Sequence, residues 1–169
     1  DRSRGLGDVY KRQMQTVVAQ MLLEGKKTIA VAESCTGGLV TSALVEYPGI
    51  SEVLLEGCVT YTNEAKMHRL GVKAETLDKY TAVSREVAAE MAEGVAKTSG
   101  ASIGVSTTGI AGPDGGTEEK PVGLVYIGIH VNGKTTVTEY RYTGKRNQIR
   151  ERAAFYALDL LRKALQDEA

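Results

Sequence analysis

The 169-residue sequence predicts an α/β fold, a single three-layer domain in which helices flank a mixed β-sheet. Three features support this. Apolar, β-prone segments alternate with amphipathic helical patterns along the chain. Asn132-Gly133 stands between two β-prone runs, the signal for a type I′ hairpin, so at least one strand pair is antiparallel. The composition, 42% apolar and 25% charged, suits one globular domain large enough to enclose a core.

The elements follow in order. Met14, Val17, Val18, Met21 and Leu22 share one helical face, and Gly25 terminates that helix. Thr28 to Ala32 is a short buried strand, after which Leu39, Val40, Ala43 and Leu44 stripe a helix that Pro48-Gly49 stops. Val53 to Tyr61 is β-prone, and Thr62 caps a short helix running through Lys66 to Leu70 before Gly71. Ser84 caps a helix striped by Val87, Ala88, Met91, Ala92 and Val95, and Ser99-Gly100 closes it before a strand from Ser102 to Thr107. Val122 to Val131 and Thr135 to Tyr142 form the hairpin, and a final helix from about Arg146 to Leu165 is striped by Ile149, Ala153, Tyr156, Ala157, Leu160 and Leu161.

Charge and cysteine content narrow the function. Lys and Arg total 21 and Asp and Glu 21, with no basic track interleaved with aromatics, so nucleic acid is not an expected partner and a small molecule is. No apolar run approaches the about 20 residues that span a bilayer, and no secretory signal is visible, so no membrane association and a cytoplasmic location are expected. Cys35 and Cys58 are expected to be reduced thiols, and two Cys with two His make a poor metal set. Residues 1–13 lack apolar periodicity and resemble translated adapter sequence; they are expected to be a non-native leader, with the domain at 14–169. Setting aside the leader's four basic and two acidic residues leaves 17 basic against 19 acidic, a slightly acidic domain.

The candidate chemistry lies at strand ends. Glu33-Ser34-Cys35-Thr36-Gly37-Gly38 follows an apolar strand and opens a helix, which offers a serine hydroxyl beside unpaired amides that can hold an oxyanion or phosphate. The same residues also read as a helix cap with glycines for tight packing. Cys35 is an alternative nucleophile without a neighbouring His in sequence. Tyr61 and Lys66 fall across the end of the next strand and the start of its helix, where a lysine with lowered pKa can take a serine's proton and Tyr61 can relay it. Equally, such residues serve as a rim phenol and a solvated helix charge.

The glycine-dense stretch Thr107-Thr108-Gly109-Ile110-Ala111-Gly112-Pro113-Asp114-Gly115-Gly116 is a long polar loop of the kind that cradles ligands, or a turn-rich connection, and it matches neither a Walker nor a dinucleotide spacing. His68 and His130 have no catalytic context. Arg146 and Arg150 lie four apart at a helix start, where cations are unfavourable and an anion would relieve them; they clamp a phosphate or form a solvated basic surface.

Ala32-Glu33-Ser34-Cys35-Thr36-Gly37-Gly38, Val59-Thr60-Tyr61-Thr62-Asn63-Glu64-Ala65-Lys66, Thr108-Gly109-Ile110-Ala111-Gly112-Pro113-Asp114-Gly115-Gly116 and Glu118-Glu119-Lys120-Pro121-Val122-Gly123 together resemble the CinA C-terminal domain family, from about Met14 to the end. For a chain of this length the resemblance implies a nicotinamide-nucleotide amidohydrolase, an NMN deamidase. Such an enzyme hydrolyses the carboxamide of nicotinamide mononucleotide to nicotinate mononucleotide and ammonia in pyridine-nucleotide recycling; longer members carry an additional N-terminal domain. It implies Ser34 as nucleophile, with Tyr61 and Lys66 handling the proton. Amides near Thr36 to Gly38 would stabilise the oxyanion, and the substrate's phosphate would meet Arg146 and Arg150 or the Gly109 to Gly116 loop. The substrate contacts expected are Glu33, Cys35, Thr36, Gly37, Gly38, Thr108, Gly109, Ala111, Gly112, Arg146 and Arg150, with no cofactor, no metal and a homo-oligomeric state. Gly144-Lys145-Arg146 departs from the family's common Gly-Asp-Arg. The alternative is a non-catalytic nucleotide-binding or regulatory module of the same family.

Overall fold

The structure, a computed structural model, describes residues 2–168. Its elements are α1 (Arg2–Gly25), β1 (Ile29–Glu33), α2 (Leu39–Val45), a 3-10 turn (Ile50–Glu52), β2 (Leu54–Val59), α3 (Asn63–Leu70), α4 (Ala74–Tyr80), α5 (Arg85–Ser99), β3 (Ile103–Gly109), β4 (Leu124–Val131), β5 (Lys134–Arg141) and α6 (Arg146–Asp167). The sheet runs in the order β2-β1-β3-β4-β5. Its first three strands are parallel, and β4 and β5 each pair antiparallel with the preceding strand. The expected mixed sheet and α/β/α layering are present.

Alternation along β1 builds the two interfaces. Ile29 and Val31 face the large core shared with α1, α2 and α6. Ala30 and Ala32 face the opposite layer, where Val87, Met91 and Val95 of α5 pack with Leu70, Val72 and Leu77. The α5 side is lined by small residues because the helix lies very close to the sheet. A Cβ added at Gly104 would fall 2.0 Å from Ala92 O, and one at Gly128 would fall 2.7 Å from Ala88 O. Ser106 Oγ instead uses that proximity, donating to Ala88 O at 2.6 Å.

The local signals work where their chemistry is short-range. Thr62 Oγ1 accepts from Ala65 N at 3.1 Å and Ser84 Oγ from Val87 N at 3.2 Å, capping α3 and α5. Gly71 and Gly100 close the same helices with φ of 72° and 80°. Asn132 and Gly133 both have positive φ, as the type I′ turn requires. Two boundaries and one element differ most from expectation, other ends shifting by one or two residues. The first helix begins at Arg2 rather than Met14. The strand expected to reach Tyr61 ends at Val59: Thr60 N still donates to Glu33 O at 2.9 Å, but β1 itself ends at Glu33 and offers no further partner. The seven-residue α4 has no counterpart in the sequence pattern: its start at Lys73 has no side-chain cap and its only buried residue is Leu77, so it lacks both a cap and a stripe. Glu90 Oε1, seventeen residues away, takes the Lys73 amide at 2.8 Å.

Among the described residues no helix is long and apolar enough to cross a membrane. Replacing Gly104 by Ala should force α5 off the sheet. The expected loss is about 3 kcal/mol, the upper range for overpacking, read from urea unfolding.

Candidate active site

Three strand ends deliver the site. β1 ends in Glu33 and passes into Ser34, β2 runs out into Thr60 and Tyr61, and β3 ends at Thr108 and Gly109. Because β1 lies between β2 and β3, the three carboxyl ends form one crevice. Ser34, Cys35, Tyr61, Lys66, Thr108, Gly109, Ala111 and Arg146, all expected from the sequence, line a single cavity of about 190 Å³, joined by Ala82 and Val83.

At its floor Lys66 Nζ lies 3.1 Å from Ser34 Oγ, 2.8 Å from Thr60 O and 3.4 Å from Tyr61 O. Lys66 is 1% exposed, and burial pushes its amine below the ordinary value of 10.5. Its α3 position thus places it under the turn rather than in solvent. A neutral amine has two N–H donors and one lone pair. The two carbonyls take the donors, which leaves the lone pair for the Ser34 O–H.

The Ser34 turn is held by groups expected from the sequence to contact substrate. Glu33 is fully buried, and its carboxylate accepts from Gly38 N (3.1 Å), Val40 N (2.9 Å), Thr41 N (3.0 Å), Thr36 Oγ1 (2.6 Å) and Thr41 Oγ1 (2.6 Å). It therefore caps α2 itself, neutralises that helix's positive end and has no capacity left for a ligand. Since the Thr36 proton goes to Glu33, Thr107 donates its own to Thr36 across 2.8 Å. Ser34 N donates to Thr107 O at 3.1 Å, tying the turn to β3.

The amides expected to hold an oxyanion are partly spent. Gly37 N donates to Ser34 O at 3.1 Å and Gly38 N to Glu33. Among the described residues, the Cys35 and Thr36 amides of this turn have no acceptor. Gly37 and Gly38 have φ of 59° and 102°, and a Cβ on Gly37 would sit 3.0 Å from an Arg150 nitrogen. These glycines turn the chain and admit Arg150.

Arg150 donates through Nε to Cys35 O (3.0 Å) and through its other nitrogens to Thr36 O (3.1 Å) and Asn147 Oδ1 (3.1 Å). The expected two-arginine clamp is thus divided. Arg150 braces the serine turn from behind, while Arg146 lines the cavity, donating to Gly112 O at 2.6 Å and to the Tyr61 hydroxyl at 3.2 Å. The Tyr61 side chain is 60% exposed, so its phenol stands at the mouth with Arg146, and only its carbonyl reaches Lys66.

Cys35 is 7% exposed and burial pushes its thiol up to about 12, so it is a protonated wall residue at neutral pH rather than a competing nucleophile. Among the described residues no three His, Cys, Asp or Glu side chains cluster to hold a metal ion. Ala82 and Val83 escape sequence reasoning because two small apolar residues before a capping Ser84 carry no signal of a binding wall. Glu33→Gln would turn an NH2 group towards donors that need an acceptor. It should cost about 3 kcal/mol or more in urea unfolding, while Asn147→Ala should stay within about 0.5 kcal/mol.

Comparison with known proteins agrees with this fold. The solved structure of the competence/damage-inducible protein CihA from Agrobacterium tumefaciens is 42% identical with a TM-score of 0.89, covering 92% of this chain and 95% of that one. A CinA-superfamily protein from Klebsiella pneumoniae is 32% identical, also at 0.89, covering 93% and 98%. A Clostridium botulinum chain, named provisionally as a competence-damage inducible protein, is 60% identical over 152 residues, 90% of this chain but 37% of its own length. A Clostridium perfringens chain of the same description is 54% identical over 166 residues, 98% of this chain and 40% of its own. The chain thus spans about two fifths of the length of the curated relatives it matches. The CinA C-terminal domain model matches residues 11–165, and the chain belongs to that family.

Proposed function

We propose that this domain hydrolyses the carboxamide of nicotinamide mononucleotide to nicotinate mononucleotide and ammonia, in pyridine-nucleotide recycling, with Ser34 as nucleophile and Lys66 as its base. The observation that carries the reading is the 3.1 Å contact between Ser34 Oγ and an amine that is 1% exposed and whose other partners are two carbonyls. A solvated helix lysine needs none of these features.

In the proposed reaction Ser34 Oγ attacks the carboxamide carbon as its proton passes to the Lys66 lone pair. The tetrahedral oxyanion takes the uncommitted amides of Cys35 and Thr36. Collapse breaks the C–N bond, and the Lys66 ammonium returns its proton to the leaving nitrogen, which departs as ammonia. Water then attacks the acyl-enzyme, giving one proton to Lys66; the ester C–O bond breaks as Lys66 passes that proton to Ser34 Oγ, and the product acid releases its own proton to solvent as the carboxylate. In its charged form Lys66 donates to Ser34 Oγ, Thr60 O and Tyr61 O, so both protonation states are satisfied without rearrangement.

The cavity of about 190 Å³ is below the about 300–1,000 Å³ of sites that enclose a whole drug-sized ligand. It suits the carboxamide-bearing ring, with ribose and phosphate at the mouth. Arg146 is the cation there, since Arg150 is committed to the Ser34 turn.

The test follows ammonia and nicotinate mononucleotide released by the unmodified protein and by Ser34→Ala and Lys66→Arg. Each variant should lose at least about a thousandfold in kcat while remaining folded, the second because a guanidinium does not give up its proton. Near-full activity in Ser34→Ala would remove the nucleophile, and binding without any ammonia would favour the non-catalytic module. A depressed Lys66 pKa also predicts a pH profile. The base is absent at low pH, so kcat/KM should rise with pH and level off below 10.5, the ordinary amine value.

A further inference from the structure

The segment after α4 carries a backbone conformation that its residue type opposes. Thr81 has φ 65° and ψ 170°, a region open to glycine that a β-branched residue occupies only when its surroundings hold it there. The holding group comes from the far end of the long loop. Lys120 Nζ donates to Tyr80 O (2.6 Å), Thr81 Oγ1 (2.8 Å) and Val83 O (2.7 Å), which uses all three ammonium protons. Its own main chain is anchored by a turn in which Thr117 N donates to Lys120 O at 2.7 Å and Lys120 N to Thr117 Oγ1 at 3.0 Å. Two hydroxyls complete the fastening: Ser84 Oγ donates to Thr81 O at 2.9 Å and Thr108 Oγ1 to Ala82 O at 2.8 Å.

This strained segment ends in Ala82 and Val83, which line the same cavity as Ser34 and Lys66. A flat ring that enters with its carboxamide towards Ser34 needs an apolar wall at a fixed distance, and nothing in the Ala82-Val83 pair fixes itself. Relaxation of Thr81 to an ordinary φ would redirect the chain at the residue before that wall.

We propose that Lys120 is a positioning residue of the substrate cavity, clamping Tyr80 to Val83 so that the Ala82-Val83 wall is set for the pyridine ring. The proposal rests on the reading of the Ser34-Lys66 cavity as a pyridine-nucleotide site. Lys120 touches neither Ser34 nor Lys66, so it acts on ring binding and not on the chemical step.

The test compares the full chain with K120M and K120M/T81G. Each is measured for KM and kcat with nicotinamide mononucleotide, for its calorimetric affinity for that nucleotide, and for hydrogen exchange at the Thr81 and Val87 amides, which donate to Leu77 O and Ser84 Oγ. K120M should raise KM about tenfold with kcat within about threefold, and exchange at both amides should quicken about tenfold. Glycine holds φ 65° without a clamp, so K120M/T81G should recover both quantities. Should K120M fail to fold, recovery of a folded, ligand-binding chain by T81G supports the clamp equally. Unchanged KM and exchange in K120M, a fall in kcat with KM constant, or no recovery by T81G would overturn the proposal. If the unmodified protein binds the nucleotide but releases no ammonia, the deamidase reading falls alone. The clamp is then judged by affinity, where about tenfold weakening and its recovery support it and equal affinities overturn it. No binding at all overturns both.

Discussion

The buried amine of Lys66 is the constraint on which the site depends. A lysine side chain removed from water must either lose its proton or find three acceptors, and this one is given two main-chain carbonyls and one serine hydroxyl. The two carbonyls exist because β2 ends early and the chain passes through Thr60 and Tyr61 over the start of α3. Meeting the amine's requirements therefore fixes the end of one strand, the start of one helix and the place of the nucleophile together.

Around that amine the charges are kept apart by function. The carboxylate adjoining Ser34, that of Glu33, is occupied by five donors from α2 and its turn, so it stabilises the fold without serving as Lys66's counter-ion. Arg150 is spent on the carbonyls of Cys35 and Thr36, which fixes the turn whose Cys35 and Thr36 amides have no acceptor among the described residues. A turn braced in this way is preorganised: its donors are in place before any charge develops, as electrostatic stabilisation of an oxyanion requires. The cavity mouth, with Tyr61 and Arg146, is the exposed and cationic part.

Much of this is legible in the sequence because its determinants are local. An apolar strand running into Ser34 and a glycine pair, and a Tyr61-Thr62 strand end followed by Lys66, place two functional groups at two strand ends, and parallel pairing brings strand ends together. The caps Thr62 and Ser84 and the Asn132-Gly133 turn are likewise readable over four residues or fewer. What stays hidden depends on partners distant in sequence. Arg150 reaches Cys35 across 115 positions and Lys120 reaches Tyr80 across 40. Glu33 is legible as a site residue but not as a cap, because a carboxylate facing a ligand and one facing its own helix have the same local sequence. α4 is invisible for want of a stripe, and with it go the strained Thr81 and the apolar wall beyond it.

The most direct test of Lys66 as a general base is a side-chain NMR titration of that residue in the folded protein, labelled with carbon-13 at lysine Cε and assigned by comparison with Lys66→Met. A midpoint well below 10.5, shifted towards the ordinary value when the protein is unfolded, is the result expected of an amine desolvated beside Ser34. A midpoint at or above 10.5 in the folded state would mean that Lys66 is a permanent ammonium, and the general-base role assigned to it would be wrong.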